Sequence, residues 1–177
     1  MSQNKNHFIY KLMVANLKIR DMLLPREVLL DEINLKPGDR VLDFGCGPGS
    51  YTVVAAQRIG PSGRVFSLDI HPLALQYVQK EAEKRHLTNI ETILSDGDTC
   101  LPDASIDYVF LFDILHALDN TQKYLAEFKR VLKPGGILCV NDHHMQKEAI
   151  ITLITAGGMF NTQRVGEMMM DFGIKDE

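Results

Sequence analysis

No stretch of this chain approaches the roughly 20 consecutive apolar residues that a bilayer-spanning helix needs, which argues against a membrane-embedded protein. The opening MSQNKNHFIYKLM has no apolar signal core, so export is not expected. Cysteine is scarce. The three present, Cys46, Cys100 and Cys139, are odd in number and widely spaced, which excludes a disulfide framework and a zinc-type spacing. A reducing cytoplasm is the expected compartment. Positive charge is not in excess: 19 Lys and Arg stand against 23 Asp and Glu, so the chain carries no strong nucleic-acid footprint and such a partner is not expected. Internal repeats and low-complexity linkers are absent. What is present is an ordinary globular composition, 45% hydrophobic and 24% charged over 177 residues. That length suffices for one domain burying roughly 70% of its unfolded surface.

Hydrophobic spacing divides the chain into alternating elements. Phe8, Leu12, Ala15 and Ile19 recur at helical spacing between His7 and Arg20. A second helix is expected from Pro25, carrying Val28, Leu29 and Ile33, before the turn Leu35–Asp39. Strands are predicted at Arg40–Phe44, Arg64–Leu68, Ile90–Leu94, Ile106–Phe112 and Ile137–Asn141. Helices are predicted between them: one capped by Ser50 and ending before Gly60, one opened by Pro72 with Ala74, Val78 and Ala82 on one face, and one over Thr121–Leu132 burying Leu125 and Phe128. Lys133-Pro134-Gly135-Gly136 is expected to stop that last helix, and Glu148–Thr155 to form another. Gly157–Lys175 has room for an antiparallel pair, with Met168, Met169 and Met170 as packing residues. Strands and helices in alternation, with continuous apolar strands, imply a parallel sheet covered on both faces. Ligands of such a sheet bind at the carboxyl ends of its strands.

The chemistry-bearing residues fall at those ends. In VLDFGCGPGSYT, Asp43 closes an apolar strand and Gly45, Gly47 and Gly49 alternate after it, with Cys46 between. Glycine tolerates the dihedrals of such a turn and leaves room for a ligand against the backbone. The pattern D-x-G-x-G-x-G differs from the G-x-G-x-x-G of dinucleotide folds. Asp69 ends the second strand, where a carboxylate can accept two hydrogen bonds from a ribose diol. Asp96 and Gly97 follow the third strand, with Asp98 as a rival to Asp96. A pocket ringed by Asp43, Asp69 and Asp96 suits a cation, and no Lys or Arg lies in the glycine turn to meet a pyrophosphate. This counts against a nicotinamide dinucleotide oxidoreductase.

From Pro25 to Asp142 the order of these motifs resembles the class I S-adenosylmethionine-dependent methyltransferases, in particular the branch of quinone-type and other small-metabolite enzymes. The resemblance implies a Rossmann-like, doubly wound sheet of seven mostly parallel strands in one domain. It implies that residues 35–177 form the S-adenosylmethionine-binding domain and that residues 1–34, with Tyr10, form a helical segment similar to the lids of relatives. Asp43 and the glycine turn would hold the methionine end of the cofactor. Asp69 and Ile70 would meet the ribose, and Asp96 and Gly97 the adenine. Phe112 and Asp113, in FLFDILHALDN, would line the cofactor near the acceptor. S-adenosylhomocysteine would be the product.

His116 is the first candidate for a catalytic base, and His143, in NDHHM, the second. Adjacent histidines on an extended loop point apart, so His143 and His144 are not expected to bind a metal. The chain lacks a long insertion near the fifth strand to cap a substrate, an N-P-P-Y tetrad for amino-nitrogen methylation, and the cysteine pattern of arsenite methylation. These departures leave the acceptor's identity open; the resemblance implies methyl transfer to a small-molecule acceptor by in-line displacement. A non-catalytic S-adenosylmethionine-binding sensor or partner subunit is the alternative. The sequence is compatible with an oligomer and does not specify one.

Overall fold

A computed structural model describes residues 26–175 together with Val14. The helix expected over His7–Arg20, apart from Val14, and the lid assigned to residues 1–34, apart from residues 26–34, lie outside the described residues. Seven strands form one sheet: β1 (Arg40–Phe44), β2 (Arg64–Asp69), β3 (Ile90–Leu94), β4 (Ile106–Phe112), β5 (Leu132–Asn141), β6 (Phe160–Val165) and β7 (Met170–Ile174). Their order is β3-β2-β1-β4-β5-β7-β6. The strands β1 to β5 pair in parallel, and β7 runs antiparallel to both β5 and β6. The expected sheet of seven mostly parallel strands is what forms.

Helices cover both faces. On one side lie α1 (Arg26–Asp31), α2 (Ser50–Ile59) and α3 (Pro72–Lys84), with Leu30, Ala55 and Ile59 packed against Val41, Val65 and Phe110. On the other lie α4 (Thr121–Val131) and α5 (Lys147–Thr155), whose Leu125, Phe128, Ile150 and Ile154 pack against Leu42, Phe44 and Val109. The alternation of Val41 and Leu42 to opposite layers is the two-residue period of a strand, and both faces being apolar explains the continuous hydrophobic runs. Chain order reverses between β1 and β4, so their carboxyl ends open a crevice.

Several local expectations are corrected. Ser50 begins α2 rather than capping it. Gly49 holds the capping position at φ 86°, with no side-chain cap, because the preceding turn is left-handed. Val28 is exposed on α1, and Leu29, Leu30 and Ile33 are the buried residues of that segment. The strand β5 starts at Leu132, not Ile137. Leu132 pairs with Ile106 and Ile137 with Tyr108, so Lys133–Gly136 forms a bulge inside the pairing.

Candidate active site

The glycine turn takes its shape from three left-handed residues, Gly45 (φ 72°), Gly47 (φ 53°) and Gly49 (φ 86°). Two of them are glycine for reasons internal to the fold. A β-carbon on Gly45 would lie 2.9 Å from Ile114 Cγ1, and one on Gly49 would lie 2.8 Å from Val78 Cγ2. Among the described residues, a β-carbon on Gly47 meets nothing within 4 Å. The middle glycine therefore presents bare backbone to open space. The amides of Gly45 and Cys46 both donate to Leu68 O, at 2.8 and 3.0 Å, which seats the turn on the end of β2.

Asp43 is 2% exposed, and its Oδ2 accepts the Thr52 hydroxyl at 2.5 Å. The same hydroxyl lies 3.1 Å from Ser67 Oγ. Burial pushes the Asp43 carboxyl up to about 6, opposed by the Thr52 hydrogen bond and reinforced by the neighbouring charge of Asp69. Among the described residues no cation offsets it. Asp69 Oδ2 accepts the Gly47 amide at 2.9 Å, and its Oδ1 the His71 amide at 2.7 Å. Each oxygen retains a lone pair for a further donor. Ile70 beside it is an apolar side chain left 72% exposed on the rim.

Asp96 is exposed just beyond β3, whereas Asp98 Oδ1 accepts the Cys100 amide at 3.0 Å and shapes its own turn. Gly97 is buried against the Tyr124 ring. Cys46 is buried, and burial raises its thiol well above the ordinary range, with Asp43 and Asp69 adding to the effect. It is no nucleophile. Asp43, Gly47, Asp69, Ile70 and Asp96 thus share one rim over the adjacent strands β1, β2 and β3.

Phe112 and Asp113 part company. Phe112 is buried, edge-to-face with Tyr51 at 4.7 Å and stacked on Phe110 at 4.8 Å. Its ring belongs to the core beneath the rim. Asp113 turns its carboxylate to His143, with Oδ1 2.6 Å from Nδ1. His116 pairs with Asp142, Nδ1 lying 2.8 Å from Oδ2. His144 stands between the two, its ring centroid 3.8 Å from His143 and 4.3 Å from His116, so the adjacent histidines lie ring against ring rather than pointing apart as expected. A cavity of about 340 Å³ opens beside His143, walled by Met145, Ile150, Met168 and Met170 with Asn141 and Gln146.

Sequence reasoning missed Thr52, Ser67 and Asp142. The lone serine in the strand VFSLD carried a signal for the second, because a small polar residue inside a buried strand needs a partner.

A family model described as a methyltransferase domain matches residues 35–170. The chain belongs to the methyltransferase family. It is 32% identical over 133 residues to demethylmenaquinone methyltransferase of Geobacillus sp. (strain WCH70), covering 74% of this chain and 57% of that one. It is 35% identical over 118 residues to a 37.1 kDa protein in transposon TN4556 of Streptomyces fradiae, covering 66% of this chain and 34% of that protein. This methyltransferase chain thus spans between a third and about three-fifths of the length of these curated relatives. Its fold matches the crystal structure of a SAM-dependent methyltransferase from Aquifex aeolicus with a TM-score of 0.75, at 30% identity, covering 88% of this chain and 90% of that one. Membership in this family implies S-adenosylmethionine as the cofactor.

Proposed function

We propose that this chain transfers a methyl group from S-adenosylmethionine to a small-molecule acceptor. The observation that carries the reading is the buried, uncompensated Asp43 beneath a glycine turn whose middle residue faces open space. Among the described residues such a site lacks a positive charge and has room for one. S-adenosylmethionine is a net cation, with a sulfonium, an ammonium and one carboxylate. Asp43 and the Gly45–Gly49 turn would hold its amino-acid end, Asp69 and Ile70 its ribose, and Asp96 with the Gly97 amide its adenine. When bound, the group supplies a methyl carbon on a positively charged sulfur that leaves as a neutral thioether.

The protein's own task is positioning. The turn, locked to β2 through Leu68 and Asp69, fixes one reactant, and the ends of β4 and β5 present the other in line with it. Exclusion of water at this junction protects the transfer. Relatives named demethylmenaquinone methyltransferase support a quinone-type acceptor for this chain. Calorimetric titration with S-adenosylmethionine, S-adenosylhomocysteine and NADH tests the reading. Micromolar binding of the first two and none of NADH is expected. Absence of binding to both sulfur compounds would overturn it.

A further inference from the structure

Two histidine–aspartate pairs sit at the ends of β4 and β5, and they are built for different work. Asp142 is buried and accepts three hydrogen bonds. Its Oδ2 accepts the His116 amide at 3.0 Å and the His116 ring at 2.8 Å, and its Oδ1 accepts the His144 amide at 3.0 Å. These bonds clamp the 3₁₀ turn Leu115–Ala117 to the loop after β5, and His116 does not line the cavity.

The other pair faces outward. Asp113 is a non-glycine residue at φ 55°, a conformation that costs on the order of 1–2 kcal/mol and is found where a fold aims a group. Its amide still bonds Asn141 O at 2.8 Å, so the strand edge is kept while the side chain swings towards β5. There its Oδ1 meets both the amide and Nδ1 of His143. A carboxylate at Nδ1 fixes the ring proton there and leaves Nε2 as an acceptor. The His143 side chain is 57% exposed and lines the cavity.

We propose that His143, oriented by Asp113, takes a proton from a neutral, flat, hydroxyl-bearing acceptor seated in the cavity between β5 and the link before β7. The assignment rests on the methyl-transfer reading and adds to it that the acceptor has a proton to lose. The cavity's chemistry points the same way. Flexible methionines line it, and they mould to flat apolar rings. Its lysine, Lys147, already gives its ammonium to Gly166 O and Glu167 O, both at 2.7 Å, while Asp142 and Glu167 stand in the wall. Among the described residues, an anionic acceptor would meet no uncommitted cation there. In the step itself the acceptor O–H bond breaks, its electron pair stays on oxygen, and the proton moves to Nε2. Asp113 balances the imidazolium, which afterwards releases the proton to solvent.

The test uses protein labelled with ¹³C-methyl methionine and ¹⁵N-histidine, saturated with S-adenosylhomocysteine and titrated with 1-naphthol, with naphthalene as the comparison. Both compounds are expected to shift the Met145, Met168 and Met170 methyl signals, and naphthol alone the His143 Nε2 signal. Asp113→Asn is expected to abolish the single Nδ1–H tautomer and the Nε2 response, while naphthalene still shifts the methionine methyl signals. Unmoved methionines, an unmoved Nε2, or an unchanged tautomer in Asp113→Asn would each overturn the proposal. Lack of S-adenosylhomocysteine binding would instead overturn the reading on which it rests. His144, His116 and Asp142 crowd around His143, so the readout is the resolved His143 resonance rather than a bulk pH profile.

Discussion

Asp69 Oδ2 accepts the Gly47 amide at 2.9 Å across 22 residues of sequence. The carboxylate at the end of β2 therefore holds the glycine turn of β1 in shape before any ligand arrives. Asp69→Ala removes this anchor together with the ribose contact assigned to it. S-adenosylmethionine binding is expected to weaken by about 1.5–3 kcal/mol, roughly 10- to 150-fold, read by calorimetry. An unchanged dissociation constant would move the ribose contact elsewhere.

The three glycines of the turn are expected to fail differently. Gly47→Val adds a side chain into open space at φ 53°, so the fold survives with a cost on the order of 1–2 kcal/mol while cofactor binding is lost. Gly49→Val forces a β-carbon to within 2.8 Å of Val78 Cγ2 and unseats α3 from the turn. Thermal unfolding should show a small drop for the first variant and a larger one for the second. Equal drops, or normal affinity in Gly47→Val, would refute the distinction.

Asp43 gives a pH signature. Its carboxyl is raised by burial from 3.8 to about 6, so between those values the folded state binds more protons than the unfolded one. Stability from this group falls as pH rises through that window and is level above it. The difference in unfolding free energy between wild type and Asp43→Asn should change by up to about 3 kcal/mol from pH 4 to 7, with the wild type losing ground. A cationic ligand favours the ionised form, so wild-type affinity for S-adenosylmethionine should rise over the same range and that of Asp43→Asn should stay flat. A flat wild-type profile would separate Asp43 from the cation.

Asp142 should behave in the opposite sense. Burial raises its carboxyl, but the hydrogen bonds from His116 and His144 outweigh that and hold it below the usual value. Its stabilisation is present above the ordinary carboxylate range and is lost as pH falls through the depressed value. Asp142→Ala leaves the donors of His116 and His144 without their acceptor and is expected to cost about 1–3 kcal/mol at pH 7 in urea unfolding. Loss of less than a few tenths would show the clamp to be incidental.

The placing of Asp43, Asp69 and Asp96 along one rim was legible in the sequence because its signals are local. Asp43 with its alternating glycines, and Asp69 and Asp96 just after strands, need only correct strand ends, and β1, β3 and β4 run between the residues expected. The pairing of Asp113 with His143 was not legible. It depends on β4 lying beside β5 with Phe112 opposite Asn141, and on a left-handed aspartate that no sequence pattern announces. The burial of Phe112 was hidden for a similar reason. A strand's last aromatic reads as rim or core alike until Tyr51 is seen to cover it. His116 is the first candidate base by sequence, yet Asp142 holds its ring at Nδ1 and it does not line the cavity, whereas His143 does.

The sheet order puts the carboxylates of β1, β2 and β3 on one flank and the cavity of β5 and β7 on the other, with β4 as the seam. Heredity can therefore edit the two flanks separately. Met145 and Met168 line the cavity on the flank of the sheet opposite the glycine turn. With cofactor and acceptor seated as proposed, a lineage could change its customer while keeping its fuel, and the record of that drift would be read along β5 to β7, with β1 to β3 nearly still.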